Sequence, residues 1–440
     1  MLFHPVFTTT GQFAAMHQPL SGQILGDRAS STEALYAKLT VAAGVFFVVL
    51  ELSYFLMAGL HTSGSLTLDD FGSAIGRDFL NTWMGGLSAF SGGPAPWFDF
   101  QAYNTVLREM TGHPDFPDLF WSYPPHLVLF IWPLGLLPYL PAYAVWCVVG
   151  LALYLLAAWS GGISRKHMLF LAVAPGVAVN VFFGQNGFLT AALLIGGLAN
   201  LDRRPIVSGI LFGILTIKPQ FGLLLPVLLV LTGRWRVIAA AVTTVAALVA
   251  VTSLWFGPDI WLEYVRKVSP QQHWLLIHGG GLLVPMVSSA FVNARNIGLP
   301  LDADWAVQAV TSACALAMVV WTFWRRRDPV LSLALFVTAT FLFSPWMLNY
   351  DMVVFGWVIA LLRGRADNTT ADDHLAIAVW LLPVIMLLFG AIHVPIAMLV
   401  LPAFAGRLIW RLSRGEACHA AGGDVPGEVS SVSMAGLVTQ

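Results

Sequence analysis

Long, continuously apolar runs recur from Leu39 to about Trp410, separated by short clusters rich in arginine, glycine or proline. The runs do not alternate with period two, which is what a transmembrane barrel of about ten-residue strands requires. A bilayer core about 30 Å thick takes roughly 20 apolar residues as a helix. Backbone groups in lipid must also find partners within their own segment. The pattern therefore predicts spanning helices over 39–60, 141–160, 168–184, 187–201, 205–217, 219–232, 236–257, 305–324, 329–346, 350–363, 375–391 and 394–412. Two further apolar stretches, 125–138 and 281–292, run into proline or polar signals and are predicted to be re-entrant or interfacial. The fold class is an all-α polytopic membrane protein, a bundle of about 12 transmembrane helices with a large first extracytoplasmic loop.

Basic residues orient such a bundle. Arg165/Lys166, Arg203/Arg204, Arg234/Arg236, Arg325–Arg327, Arg363/Arg365 and Arg407/Arg411/Arg414 fall on one side under this count, which places them and both ends of the chain in the cytoplasm. The outer side then receives residues 61–122, the turn Gly184-Gln185-Asn186-Gly187, Lys218, residues 258–304, the turn before Tyr350, and His393. Residues 1–38 read as a cytoplasmic segment with no cleavable leader. Residues 39–412 read as one transmembrane domain, with outer loops at 61–123 and 258–304, and residues 413–440 as a disordered tail.

Composition supports the lipid setting. Apolar residues make up 58% of the chain and charged residues 10%, against about 25% charged in soluble domains. A net charge of −1 gives no basis for nucleic-acid binding. Cys147, Cys314 and Cys418 do not make a disulfide framework. The pattern Gly209-x-x-x-Gly213 permits close helix packing and carries no functional weight.

The polar excursion after the first span concentrates chemistry. It holds Asp69, Asp70, Asp78, Asp99, Glu109, Asp115 and Asp118, interleaved with Phe79, Trp83, Trp97, Phe98, Tyr103, Trp121 and Tyr123. Aromatic faces pack on sugar rings while carboxylates accept from hydroxyls; an ordinary aromatic belt at the headgroups has the same composition. Asp78 opens an amphipathic segment, where its plain role is an N-cap; Asp69 and Asp70 read as loop acids. Lys218 interrupts the apolar stretch Ile210–Leu231 and precedes Pro219. A lysine there is costly unless it snorkels or faces a wet cavity, and an anion such as a lipid phosphate satisfies it. Gln185 and Asn186 form a polar turn in apolar surroundings, and Asp351 either pairs with Lys218 or caps its own helix. His273 and His278 are spaced too widely for a helical metal pair. P-loop, dinucleotide-binding and nucleophile-elbow patterns are absent from the sequence, and no divalent metal or other cofactor is expected.

Asp78-Phe79, Tyr123-Pro124-Pro125, Pro133-Leu134-Gly135-Leu136-Leu137-Pro138, Gly184-Gln185-Asn186-Gly187, Lys218-Pro219-Gln220, Ser344-Pro345 and Tyr350-Asp351 follow in order. Together they resemble glycosyltransferase family 87, bacterial membrane mannosyltransferases that use polyprenyl-phosphate sugars. The resemblance runs from about residue 40 to 410. It implies a GT-C-type bundle in the bacterial inner (plasma) membrane with its site facing the periplasm. It also implies transfer of a hexose, mannose first, from a polyprenyl-phosphate donor to a glycolipid or polysaccharide hydroxyl. In that reading Asp78 is the general base, Lys218 and Gln185 meet the donor phosphate, and Tyr123, Trp83, Asn186, Gln220, His278, Tyr350 and Asp351 bind substrate. The competing reading is a lipid or solute transporter or flippase, which binds near mid-membrane and often carries internal repeats; no repeat is visible here. A non-catalytic membrane scaffold is the third.

Overall fold

The computed structural model describes residues 18–57, 61–63, 66–70, 72–324, 328–363, 365 and 367–421. Most of this chain is helical. Among the described residues the β-structure is one antiparallel two-stranded hairpin, His61–Ser63 on Leu66–Leu68, with isolated bridges elsewhere. Leu66 and Leu68 are fully buried, so the hairpin is pinned to the protein by alternate side chains.

Among the described residues, six helices are long and apolar enough to cross a bilayer: Glu33–Met57, Tyr139–Ser160, Trp235–Phe256, Leu301–Trp324, Thr370–Ala391 and Ile396–Arg414. A seventh crossing is available if Arg165–Ala172 and Pro175–Phe183, bent by 51° at their break, act as one span. The expectation of about twelve crossings is therefore supported only in part. The remaining apolar runs do become helices, but short ones: Gly187–Ala199, Pro205–Ile217, Pro219–Leu231, Pro329–Phe343 and Asn349–Leu362. A helix of 13 residues is about 20 Å long, well under the bilayer core. Proline explains several of the starts. Pro175, Pro205, Pro219 and Pro329 each stand at a first helical position, where the missing N–H costs nothing and φ is already set. Periodicity reads two such helices and one long span alike, because both are apolar all round.

The stretches read as non-crossing are also short. Pro125–Leu136 is a broken helical segment. The second stretch divides into Leu283–Met286 and Ala290–Asn296.

At one end of the bundle, ion pairs gather helix termini that are far apart in sequence. Arg363 meets Glu33 at 2.9 Å, Arg365 meets Asp328 at 2.9 Å, Arg407 meets Asp372 at 2.8 Å and Arg411 meets Asp367 at 2.8 Å. Two of the basic clusters that sequence places on one side thus have members at a common end. His167, at 3.8 Å from Glu33, brings the loop at 165–167 to it as well. The Arg325–Arg327 run lies outside the described residues, as do residues 1–17 and 422–440 of the two ends. The last helix continues through Ser413 to Ala421, into the segment expected to be disordered. Gly209 and Gly213 lie so close to the helix Trp235–Phe256 that a Cβ on either would collide with it, as the small-x-x-x-small spacing predicts.

Candidate active site

Three breaks between short helices come together in the interior: Gly184–Asn186, Lys218, and the residues around Tyr350. The first break is a glycine turn. Gly184 ends the helix Pro175–Phe183 in the left-handed region, φ +59, where only glycine sits without cost. A Cβ at Gly184 would also strike Phe79, and one at Gly187 would strike the Tyr350 carbonyl. The two glycines therefore let the turn lie against the start of the helix Phe79–Ser88 on one side and against Tyr350 on the other.

Between them, two neighbouring side chains reach in different directions. The Gln185 amide donates to Asp78. The Asn186 side-chain oxygen accepts from Lys218 at 3.3 Å. Lys218 also donates to both oxygens of Asp351, at 2.6 and 2.7 Å, and lies 4.3 Å from the centre of the Tyr350 ring. All three ammonium protons thus have partners, and Lys218 and Asp351 are both buried. Asp351 does both things the sequence leaves open: it pairs with Lys218, and it accepts from the backbone of Leu348 at 3.3 Å at the start of its own helical turn. Asn180 fixes the same turn by donating to the Tyr350 carbonyl at 2.7 Å, and Asn349 donates to Pro383 at 2.9 Å.

Asp78 occupies the N-cap position of the helix Phe79–Ser88 but makes no side-chain cap. Its φ and ψ of −72 and −12 are already helical, whereas a capping side chain needs an extended residue. Its carboxylate is freed to turn toward Gln185. Burial raises the Asp78 pKa to about 6, while the Arg77 charge and the Gln185 hydrogen bond pull it back down. The phenols of Tyr103 and Tyr123 both feel the Asp78 charge, and Tyr123 feels Asp351 too.

Asp78, Gln185, Asn186, Lys218, Tyr350 and Asp351 form one connected set, with Tyr123 beside it. Three other residues singled out in the sequence stand apart from its hydrogen bonds. Trp83 is in the core, donating to Leu137 at 3.0 Å with its ring edge-on to Tyr139. It fixes the helix that carries Asp78. Gln220 donates to the Trp346 carbonyl at 3.3 Å, tying the second break to the third. His278 is exposed at the end of the helix Ile260–His278, stacked on Trp274. Asp69, read as a loop acid, is instead fully buried. It accepts from Tyr54 at 3.0 Å and from the Ser73 backbone at 2.9 Å.

Several neighbours escaped sequence reasoning. Arg77 precedes Asp78 directly. His126 is 3% exposed, stacked on Trp261 and 3.2 Å from the Thr216 hydroxyl, two residues before Lys218. Gln272 donates to the Ser122 carbonyl at 2.8 Å and so ties the helix Ile260–His278 to the segment that leads into Tyr123. Only the proximity of His126 to Tyr123-Pro124-Pro125 in sequence could have flagged it. Among the described residues, no group of three or more His, Cys, Asp or Glu could hold a metal ion.

A many-helix membrane protein with a buried ion pair, a half-buried carboxylate and a polar turn joining them has the makings of an enzyme site inside a lipid-facing bundle. Its family follows from comparison. The model of glycosyltransferase family 87 matches residues 121–345, just over half of the chain, and the protein belongs to that family. It is a membrane glycosyltransferase. The matched region holds Tyr123, Gln185, Asn186, Lys218, Gln220 and His278; Asp78, Trp83, Tyr350 and Asp351 lie outside it. No curated protein and no solved structure matches the chain at a significant level.

Proposed function

We propose that the protein transfers a hexose, mannose first, from a polyprenyl-phosphate carrier to a hydroxyl of a glycolipid or polysaccharide. The reaction takes place at the outer face of a bacterial inner membrane, in a GT-C-type arrangement. The observation that carries this reading is the Gln185–Asn186 pair. Adjacent residues hold a carboxylate suited to base catalysis and an ammonium suited to phosphate within one polar set.

Asp78 takes the proton from the acceptor hydroxyl as its oxygen attacks the anomeric carbon. The bond from that carbon to the phosphate oxygen breaks on the opposite face, so the configuration inverts. The departing phosphate is already anionic, so it needs positive charge more than a proton. Charge aimed at a developing anion in a water-poor site is worth more than the same charge in water. Lys218 supplies it, and phosphate reaches the ammonium by replacing Asn186, the longest of its three contacts. Gln185 steadies Asp78 until the acceptor arrives and then turns to the donor. Tyr123, Tyr350 and Asp351 complete the walls. Trp83 and Gln220 support them, and His278 meets the acceptor at the mouth. No divalent metal is required.

The donor is tested by supplying membranes containing the protein with labelled polyprenyl-phosphate mannose or labelled nucleotide mannose, and analysing the linkage formed. Transfer from the lipid donor alone, with inverted anomeric configuration, supports the proposal. Transfer from the nucleotide sugar in membranes stripped of lipid carrier, or retention of configuration, contradicts it.

A further inference from the structure

The helix Tyr139–Ser160 opens with Tyr139, Tyr143 and Trp146, a spacing of four and then three that sets all three on one face. That face reaches both sides of the site through its polar tips. The Tyr139 hydroxyl donates to the Ile75 carbonyl at 2.6 Å, just upstream of Asp78. The Tyr143 hydroxyl donates to the Val181 carbonyl, in the helix that ends at the glycine turn. The Trp146 indole N–H is shared between the carbonyls of Gly184 and Gln185, at 3.1 and 3.2 Å. Those two carbonyls lie in the break between the helices Pro175–Phe183 and Gly187–Ala199, where a helical ladder leaves acceptors without donors. The same three rings surround Phe79, the residue after Asp78, with centres 5.4, 5.5 and 6.5 Å from its own.

We propose that Trp146 is a positioning residue for the transfer reaction: bonded to the Gln185 backbone and packed against Phe79, it fixes the Gln185 amide on the Asp78 carboxylate. The inference rests on Asp78 being the base. Asp78 and Gln185 lie 107 positions apart, so their contact needs a support that touches both elements, and Trp146 does. The Gln185 backbone N–H is already held by the Asn180 carbonyl at 3.0 Å. The indole supplies the second anchor, on the carbonyl side, and the residue is held at both of its backbone polar groups. Its side chain then leaves in one direction, toward Asp78. Removing the indole N–H leaves two carbonyls short of a donor in the protein interior, which is costly, and the turn shifts to find one. A displacement of about 1 Å can cost about 10²-fold in rate. Trp146→Phe is expected to lose about tenfold in kcat and to keep its donor KM within about twofold, because Lys218 meets the donor phosphate and is held by contacts of its own.

The contact between Asp78 and Gln185 can be read without any sugar donor. Full-length protein in lipid nanodiscs is titrated by infrared difference spectroscopy, and the carboxyl band lost in Asp78→Asn is followed with pH. A hydrogen bond to a carboxylate favours its ionised form. Gln185→Met is therefore expected to raise the midpoint by about one pH unit and Trp146→Phe by about half of that, while the double variant matches Gln185→Met alone. Arg77, Tyr103, Tyr123, Tyr139, Tyr143 and the Lys218–Asp351 pair, the charged and titratable groups about this contact, stay in place in all three. An unmoved or lowered midpoint in either single variant overturns the proposal. So does an additive shift in the double variant, because Trp146 would then act by a route other than Gln185. Should Trp146→Phe fail to fold, benzothienylalanine at position 146, which keeps the indole shape and lacks its N–H, is read by the same criteria. Transfer is measured separately, and an unchanged kcat in Trp146→Phe also overturns the proposal. If Asp78→Asn transfers like the wild type the base assignment fails, whereas an inactive Asp78→Asn with Trp146→Phe at the wild-type midpoint and kcat defeats the Trp146 role alone.

Discussion

Asp78 sits where sequence expects a cap, yet its backbone withholds the capping geometry and its side chain bonds to a residue 107 positions away. The sequence supplied its position at the head of a helix. The partner came only from the fold, because nothing local links residue 78 to a glycine turn at 184. Lys218 was legible for a different reason: a lysine in an apolar stretch requires an explanation wherever it lies. Arg77 and His126 were not legible, since an arginine in a polar loop and a histidine beside prolines look ordinary without their neighbours. Asp69 was misread because burial of a loop acid depends on Tyr54 and Ser73, which only folding brings to it. With Asp78 as a base whose pKa is raised to about 6, the ionised form is the working one. Transfer should therefore be constant above roughly pH 7 and fall as pH drops through about 6. A pH–rate profile under saturating donor checks this; a rate that rises on acidification would contradict it.

The elements that matter are short helices and the breaks between them. A buried pair such as Lys218–Asp351 is weak evidence for stability as a whole, but losing one member leaves an uncompensated charge. Lys218→Met and Asp351→Leu should each cost about 3–5 kcal/mol, and the double variant substantially less than their sum. Unfolding midpoints of the purified protein in detergent measure the difference, and simple additivity would argue against a coupled pair. The glycine turn makes a separate prediction. Gly184→Ala places a Cβ against Phe79 in a backbone region that disfavours it, so it should lower transfer at least tenfold while Gly222→Ala, which meets nothing, should not. Comparing transfer rates at equal expression decides it.

At the scale of the molecule, the all-helical membrane character was plain from hydropathy, and each predicted span does overlap a helix. Their lengths were not plain. Apolarity says that a segment is hidden from water, not whether lipid or protein hides it. Val179, Leu194, Ile195, Phe336 and Ile359 are buried within the protein, and they belong to helices too short to cross alone. Ion pairs linking Glu33, Asp328, Asp367 and Asp372 to arginines gather one end of the bundle. The orientation predicted from the basic clusters puts that end in the cytoplasm, so cysteines introduced at Ser91 and Arg203 in a background lacking Cys147, Cys314 and Cys418 should label from opposite sides. An impermeant maleimide applied to intact cells should reach position 91 and spare 203; labelling at both or neither would refute this orientation.

The most direct test of the account is transfer of labelled mannose from polyprenyl-phosphate mannose in membranes carrying the wild type or Asp78→Asn. A positioned base contributes about 10²–10⁴-fold. Transfer by the wild type and a loss of that size in a variant expressed and folded normally is the predicted result. Equal transfer by the two proteins would contradict the account, removing Asp78 from the chemistry and with it the meaning given to the polar set around Gln185.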